Sequence, residues 1–239
     1  MKHFYTKKTI FSFFFVKKNV VTKLLAGMSF LFLLNTGVIA QITNYGTNAL
    51  FSNTTGNFNS AFGHYTLSLN TTGSDNTAIG HVALYSNEFG KNNTANGSAA
   101  LYFNKEGNNN TANGYVALYS NTNGSGNTAS GSGALYNNFS GDKNTAIGFN
   151  TLYSNTTGKN NTALGWGADV GKENLSNATA IGYGASVKTD NTIQLGNEEV
   201  KQIFAGTGTN ATFITGGLQV MGGILEKGRV LTSDEKGVA

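Results

Sequence analysis

The chain has 239 residues, including 32 Gly and 33 Asn, with no Pro, no Cys and only 12% charged side chains. That length could hold one or two ordinary domains, but so much of the two residues that tolerate positive φ argues for many tight corners instead of a conventional core. The missing cysteines exclude disulfides and thiolate metal sites, and past residue 40 ten basic residues meet twelve acidic ones, about −2, so that part carries no basic nucleic-acid footprint.

The formal +4 of the whole chain arises at its start, where Lys2, Lys7, Lys8, Lys17, Lys18 and Lys23 stand with no acidic residue in the first 40 positions. An uninterrupted apolar run, Leu24 to Leu34, follows, and then small residues ending Val38-Ile39-Ala40. A basic region, an apolar region and a small-x-small site predict a signal peptide over 1–40, cleaved after Ala40. The apolar run is too short to cross the ~30 Å of bilayer hydrocarbon, so no membrane span is expected in the mature segment.

From residue 46 to 182 one motif recurs, NTAIGFNTLYSNTTG at 144–158 being its clearest copy. Its closing glycine falls at Gly46, Gly63, Gly80, Gly97, Gly114, Gly131, Gly148, Gly165 and Gly182, always at the same interval of seventeen positions. A second glycine keeps the same period from Gly56 to Gly158. Alanine recurs from Ala61 to Ala180, leucine from Leu50 to Leu152 and asparagine from Asn53 to Asn155. A short fixed period is the signature of a solenoid. A repeat this short leaves no room for two helices, whereas two short strands, NTAxG and xALYS, fit between Asn/Gly corners.

Coils stacked at ~4.8 Å would pair each strand with its copy, so that identical residues form ladders and buried asparagines hydrogen-bond along the stack. Eight to nine coils would stand about 40 Å tall. The position before the first glycine runs Phe62, Ile79, Asn96, Asn113, Ser130, Ile147, Leu164, and a site accepting both Ile and Asn is not dry core. The column after the leucine, Phe51, Tyr85, Tyr102, Tyr119, Tyr136 and Tyr153, is expected on the outer face by strand alternation. Its five tyrosines are the candidate oligomer or ligand stripe.

The motifs NTAIG at 76–80 and 144–148 and ATAIGYGA at 178–185 resemble the head repeats of trimeric autotransporter adhesins of the YadA type. TDNTIQLG at 189–196, with KQI at 201–203 and AGT at 205–207, is similar to the neck that follows such heads. The resemblance implies an all-β, left-handed parallel β-roll that assembles as a homotrimer on the cell surface or outer membrane, or outside the cell. The family's common head repeat is shorter, and its spacing is found here once, between Gly182 and Gly196. The chain then divides into a signal peptide (1–40), head repeats (41–185), a neck-like segment (186–207) and a glycine-rich, incomplete tail (208–239). After residue 207 neither a heptad pattern nor membrane strands of ~10 residues can be read, and the tail ends like that of a fragment.

No catalytic, cofactor-binding or metal site is expected. His64 and His81 lie one period apart without a third ligand, and Asp75, Glu88, Glu106 and Asp142 are scattered without calcium-loop spacing. Gly167 to Glu173 is too closely spaced for a phosphate loop and reads as a corner insertion. The expected function is therefore an exported, adhesin-like, non-enzymatic protein contacting a host matrix protein or surface glycan through weak multivalent contacts. Thr77 and Thr145 stand where the family's collagen-associated NSVAIG form has Val, so collagen itself is not indicated. A fibre or spacer of the phage-tail-fibre type, lacking its tip or chaperone domain, is the alternative reading. An ice-binding solenoid is the remote one, since the threonine before each Ala is not part of a Thr-x-Thr array.

Overall fold

The structure is a computed structural model that describes residues 43–200. The expected signal peptide, the KQI and AGT parts of the neck-like segment and the tail lie outside the described residues.

Each NTAx segment forms a strand of three residues. These are β1 (Thr43–Tyr45), β2 (Ser60–Phe62), β3 (Thr77–Ile79), β4 (Thr94–Asn96), β5 (Thr111–Asn113), β6 (Thr128–Ser130), β7 (Thr145–Ile147), β8 (Thr162–Leu164), β10 (Thr179–Ile181) and β12 (Ile193–Leu195). They build one ten-stranded sheet, parallel throughout, in which each strand pairs with its own copy in the next coil. Ala78 faces Ala95, and Ala95 faces Ala112. The repeat's period holds up to β10, where Ala163 pairs with Ala180, and Ala180 then pairs with Gln194 across a shorter coil. The fold is an all-β parallel solenoid of about nine coils, with no helix among the described residues. TDNTIQLG contributes β12 to the same sheet, without a break after residue 185.

The second predicted strand does not form in the long coils. In each ALYS segment the leucine has a left-handed φ, 50° at Leu84, 52° at Leu101 and 49° at Leu152, and the residue two before it does too, as at Val82 (52°) and Val116 (50°). Ala83 and Leu84 are consecutive and both fully buried, which a pleated strand forbids because its side chains alternate. A left-handed leucine costs roughly 1–2 kcal/mol. Burying its side chain contributes about 1.5–3 kcal/mol, and its N–H still reaches the next coil, as Leu84 N–H does to the Ala100 carbonyl at 2.9 Å. With a second left-handed residue in the same segment, leucine burial and the hydrogen bonds to the next coil together offset the strain. Among the described residues a true second strand appears only where the motif changes to GADV and GASV. There β9 (Asp169–Val170) and β11 (Ser186–Val187) pair in parallel as a separate two-stranded sheet.

The interior is thin and half polar. Two alanine columns, one through Ala78 and Ala95 and one through Ala83 and Ala100, meet the leucine column with no exposure. Beside them run two asparagine ladders. In the expected one, Asn104 Nδ2 donates to Asn87 Oδ1 at 2.8 Å and to the Gly107 carbonyl at 3.0 Å, while its own oxygen accepts from Asn121 Nδ2 at 2.7 Å. The other is built from the first residue of NTAxG. Asn93 N–H donates to Asn76 Oδ1 at 3.0 Å, and Asn93 Nδ2 donates to the Gly107 carbonyl at 2.8 Å. Among the described residues no buried side-chain nitrogen or oxygen lacks a partner. This satisfaction is what allows so polar a core to be dry.

Candidate functional site

The solenoid turns two different outer surfaces to solvent. On the ten-stranded sheet the outward positions are a threonine column and, two residues on, the column that varies. The variable column is apolar near the ends, at Phe62, Ile79, Ile147, Leu164 and Ile181, and polar in the middle, at Asn96, Asn113 and Ser130. It is exposed or half-buried throughout, in agreement with its mixed chemistry.

On the ALYS side the outer surface is aromatic. Tyr85, Tyr102, Tyr119 and Tyr136 are half-buried and Tyr153 is exposed. They stack in sequence, with ring centroids 5.1–5.3 Å apart and planes within 8–18° of parallel. The expected outward direction holds, although the alternation behind it does not, since the backbone there is not a strand. Phe51, the other aromatic of that column, is exposed at the N-terminal end of the described solenoid. Phe103 lies edge-on to Tyr102 and Tyr119, at 4.7 and 5.2 Å.

A second aromatic column escapes the sequence reading, because it occupies the residue after the closing glycine, where the repeat varies. Phe149, Trp166 and Tyr183 stack there at 5.8 and 5.1 Å. Tyr115 belongs to the same column two coils before Phe149, and Ser132 interrupts it. His64 and His81 are its N-terminal members, as their spacing implied, and no cluster of three potential metal ligands occurs among the described residues. The signal available in the sequence is the composition of that column, with Tyr, Phe, Trp and Tyr in four of five successive coils.

Between the two aromatic columns lies a shallow notch lined by Tyr115, Val116, Ser132, Gly133, Tyr136, Phe149, Asn150 and Tyr153. A second, open depression lies near the C-terminal end of the described coils, around Lys188, Gln194 and Glu198.

Charged groups are few and peripheral. Lys159 Nζ meets Asp142 Oδ2 at 2.8 Å, and Lys105 lies 4.0 Å from Glu88. Exposed pairs of this kind contribute at most ~1 kcal/mol. Burial alone would raise the Asp142 carboxyl, but the Lys159 ammonium and the Ser125 N–H outweigh it and hold the group below its ordinary value. At Asp169 burial prevails over the Ser154 and Val170 N–H groups, and the carboxyl is raised.

Tyr136, at the floor of the notch, is raised above the ordinary tyrosine value, first by burial and then by the neighbouring phenols of Tyr119, Tyr153 and Tyr115. A raised folded-state value means that the contribution of the neutral phenol is complete below the unfolded value of about 10 and is lost as pH rises through the folded one. The share of the tyrosinate absorbance that belongs to Tyr136 is therefore expected to develop at higher pH in the folded chain than in the chain in denaturant. Tyr136→Phe should remove the latest part of that titration. Coincident curves for folded and denatured chain would refute the coupling.

No family model matches the chain, and no curated protein matches it either. The class is accordingly defined by the fold alone, a parallel β-solenoid with one sheet face and one aromatic face.

Proposed function

We propose that this chain is an exported, adhesin-like attachment protein with no catalytic role, working as a homotrimer at the cell surface or outside the cell. The observation that carries the reading is the aromatic face, in which rings on successive coils form two columns along one side of the solenoid. Tyrosine and tryptophan give contact area at low entropic cost, and repetition once per coil suits weak contacts that act together. A contiguous apolar patch left open to solvent commonly marks a binding surface.

The trimer is supported by the sheet face. Parallel sheets are generally covered on both sides, yet here the outward Ile147, Leu164 and Ile181 are 38–46% exposed. We assign the subunit contacts to that sheet face and the ligand to the aromatic one. The resemblance of NTAIG and ATAIGYGA to adhesin head repeats supports an attachment role and a trimer, without choosing between the faces.

The test is adhesion of beads carrying the full chain to immobilised matrix proteins and glycans, together with light scattering. Retention on at least one surface, weakened by Tyr119→Ser, and a mass of three chains are expected. Beads that bind nothing overturn the attachment role, and a monomer overturns the assembly.

A further inference from the structure

The notch is a missing ring in an otherwise stacked column. After the closing glycine, successive coils carry Tyr115, Ser132, Phe149, Trp166 and Tyr183. Where neighbouring coils both hold a ring, the rings stack at 5.1–5.8 Å. Tyr115 and Phe149 stand two coils apart, about 9.6 Å, and a serine fills the rung between them. The neighbouring column is also cut back on this coil, since Gly133 stands between Val116 and Asn150. The Asn150 carboxamide oxygen lies over Gly133, in the space a side chain there would take. Two open aromatic walls, Tyr115 at 62% and Phe149 at 44% exposure, thus flank a gap one ring thick.

We propose that this gap is a binding slot for one neutral pyranose ring of a glycan. Sugar rings present two apolar C–H faces and a rim of hydroxyl groups. The slot offers an aromatic wall to each face, and the Ser132 hydroxyl, the Asn150 carboxamide and the Tyr136 and Tyr153 phenols to the rim. Those four groups include donors and acceptors of both kinds. An aromatic side chain from a protein partner would fill the walls and leave these polar groups without partners, which disfavours it. No charged residue lines the slot, which selects an uncharged sugar over a sialylated or sulfated one. The inference rests on the attachment reading above and names the ligand class for it.

The experiment uses the full chain with the methyl glycosides of glucose, galactose, mannose and N-acetylglucosamine. Trp166, the one tryptophan of the chain, stacks on the outer wall Phe149 at 5.8 Å and reports on the slot by its fluorescence. Saturation-transfer NMR gives an independent readout. At least one glycoside is expected to receive saturation and to shift the Trp166 emission. Ser132→Phe completes the column and should reduce binding about tenfold or more, with thermal stability kept. Should that variant fail to fold, Tyr115→Ala removes an exposed wall and is expected to show the same loss. Absence of transfer to all four glycosides overturns the slot, as does unchanged binding in the folded variant. Binding of N-acetyltyrosine amide in preference to every sugar overturns it too. Adhesion retained by a chain that binds no sugar leaves the attachment role standing and removes the slot. Sugar binding by a chain whose beads adhere to nothing does the reverse.

Discussion

Asn104→Asp should destabilise the solenoid by about 3–5 kcal/mol at neutral pH, and by clearly more than Asn104→Ala. The two side chains have the same shape, so the difference is one of proton donors. Asn104 Nδ2 donates to Asn87 Oδ1 and to the Gly107 carbonyl, and a carboxylate placed there would turn an oxygen toward both acceptors at 2.8–3.0 Å. The charge would sit at a position with no solvent exposure, where an unpaired ion is not tolerated and protonates instead. Its folded-state value is then raised, so its neutral form contributes fully below the unfolded carboxylate value and loses that contribution as pH rises. The deficit relative to the native chain should accordingly shrink in acid. Alanine leaves the Asn87 oxygen and one Asn121 N–H unpaired, while the Gly107 carbonyl keeps its bond from Asn93 Nδ2, and it adds no charge. Urea denaturation followed by circular dichroism, at neutral and acid pH, measures all three. An aspartate variant within ~1 kcal/mol of the native chain would show that the ladder is not what holds the interior.

Gly97→Ala should be almost as damaging, above ~3 kcal/mol, while Gly126→Ala should cost only about 1 kcal/mol. Gly126, at φ 70°, lies close to the left-handed region that leucines and asparagines of this chain also adopt, whereas Gly97, at 146°, has a backbone that only glycines adopt here. What a new methyl group would meet widens the difference. On Gly97 it would lie 2.6 Å from the Gly114 carbonyl carbon, and on Gly126 its nearest neighbour would be the flexible Lys143 side chain at 3.5 Å. Glycine stacks on glycine in that column because backbones of adjacent coils touch there, and a backbone cannot move aside without opening the sheet. Equal denaturation midpoints for the two variants would contradict this. Because each coil touches only its neighbours, the damage should be local, and Gly97→Ala is expected to broaden the transition as the stack splits on either side.

Much of this architecture is legible in the spacing of single residues. The glycine period, the alanine of each NTAxG and the asparagine of each SNxxG correspond to a corner, an inward strand residue and a hydrogen-bonded ladder. The mixed Ile/Asn column reads as something other than dry core, and in the fold it faces outward. The ALYS half reads as a strand because so short a repeat has room for two strands between Asn/Gly corners, and because tyrosine favours strands when only propensity is considered. What overrides propensity is that Ala83 and Leu84 must both point inward in a coil only a few residues across. Left-handed leucines achieve this, and no local signal announces them. The first asparagine of NTAxG is as regular as any position, yet its burial cannot be told from a surface corner, since asparagine is common in both.

The aromatic face divides the same way. The tyrosine stripe is visible as a column of identical residues, Tyr85 to Tyr153, whose stacking follows from the coil rise. The notch is not visible, because it is defined by what Ser132 and Gly133 lack and by rings that lie one coil to either side. Sequence by itself determined the period, the parallel in-register pairing and the residue types that could be buried, since a repeat that stacks must place like on like. Tertiary structure alone decided which half of the coil is sheet, which asparagines are dry and where the aromatic columns leave a gap. Those features depend on how closely successive backbones approach and on which side chains the narrow interior has room to take.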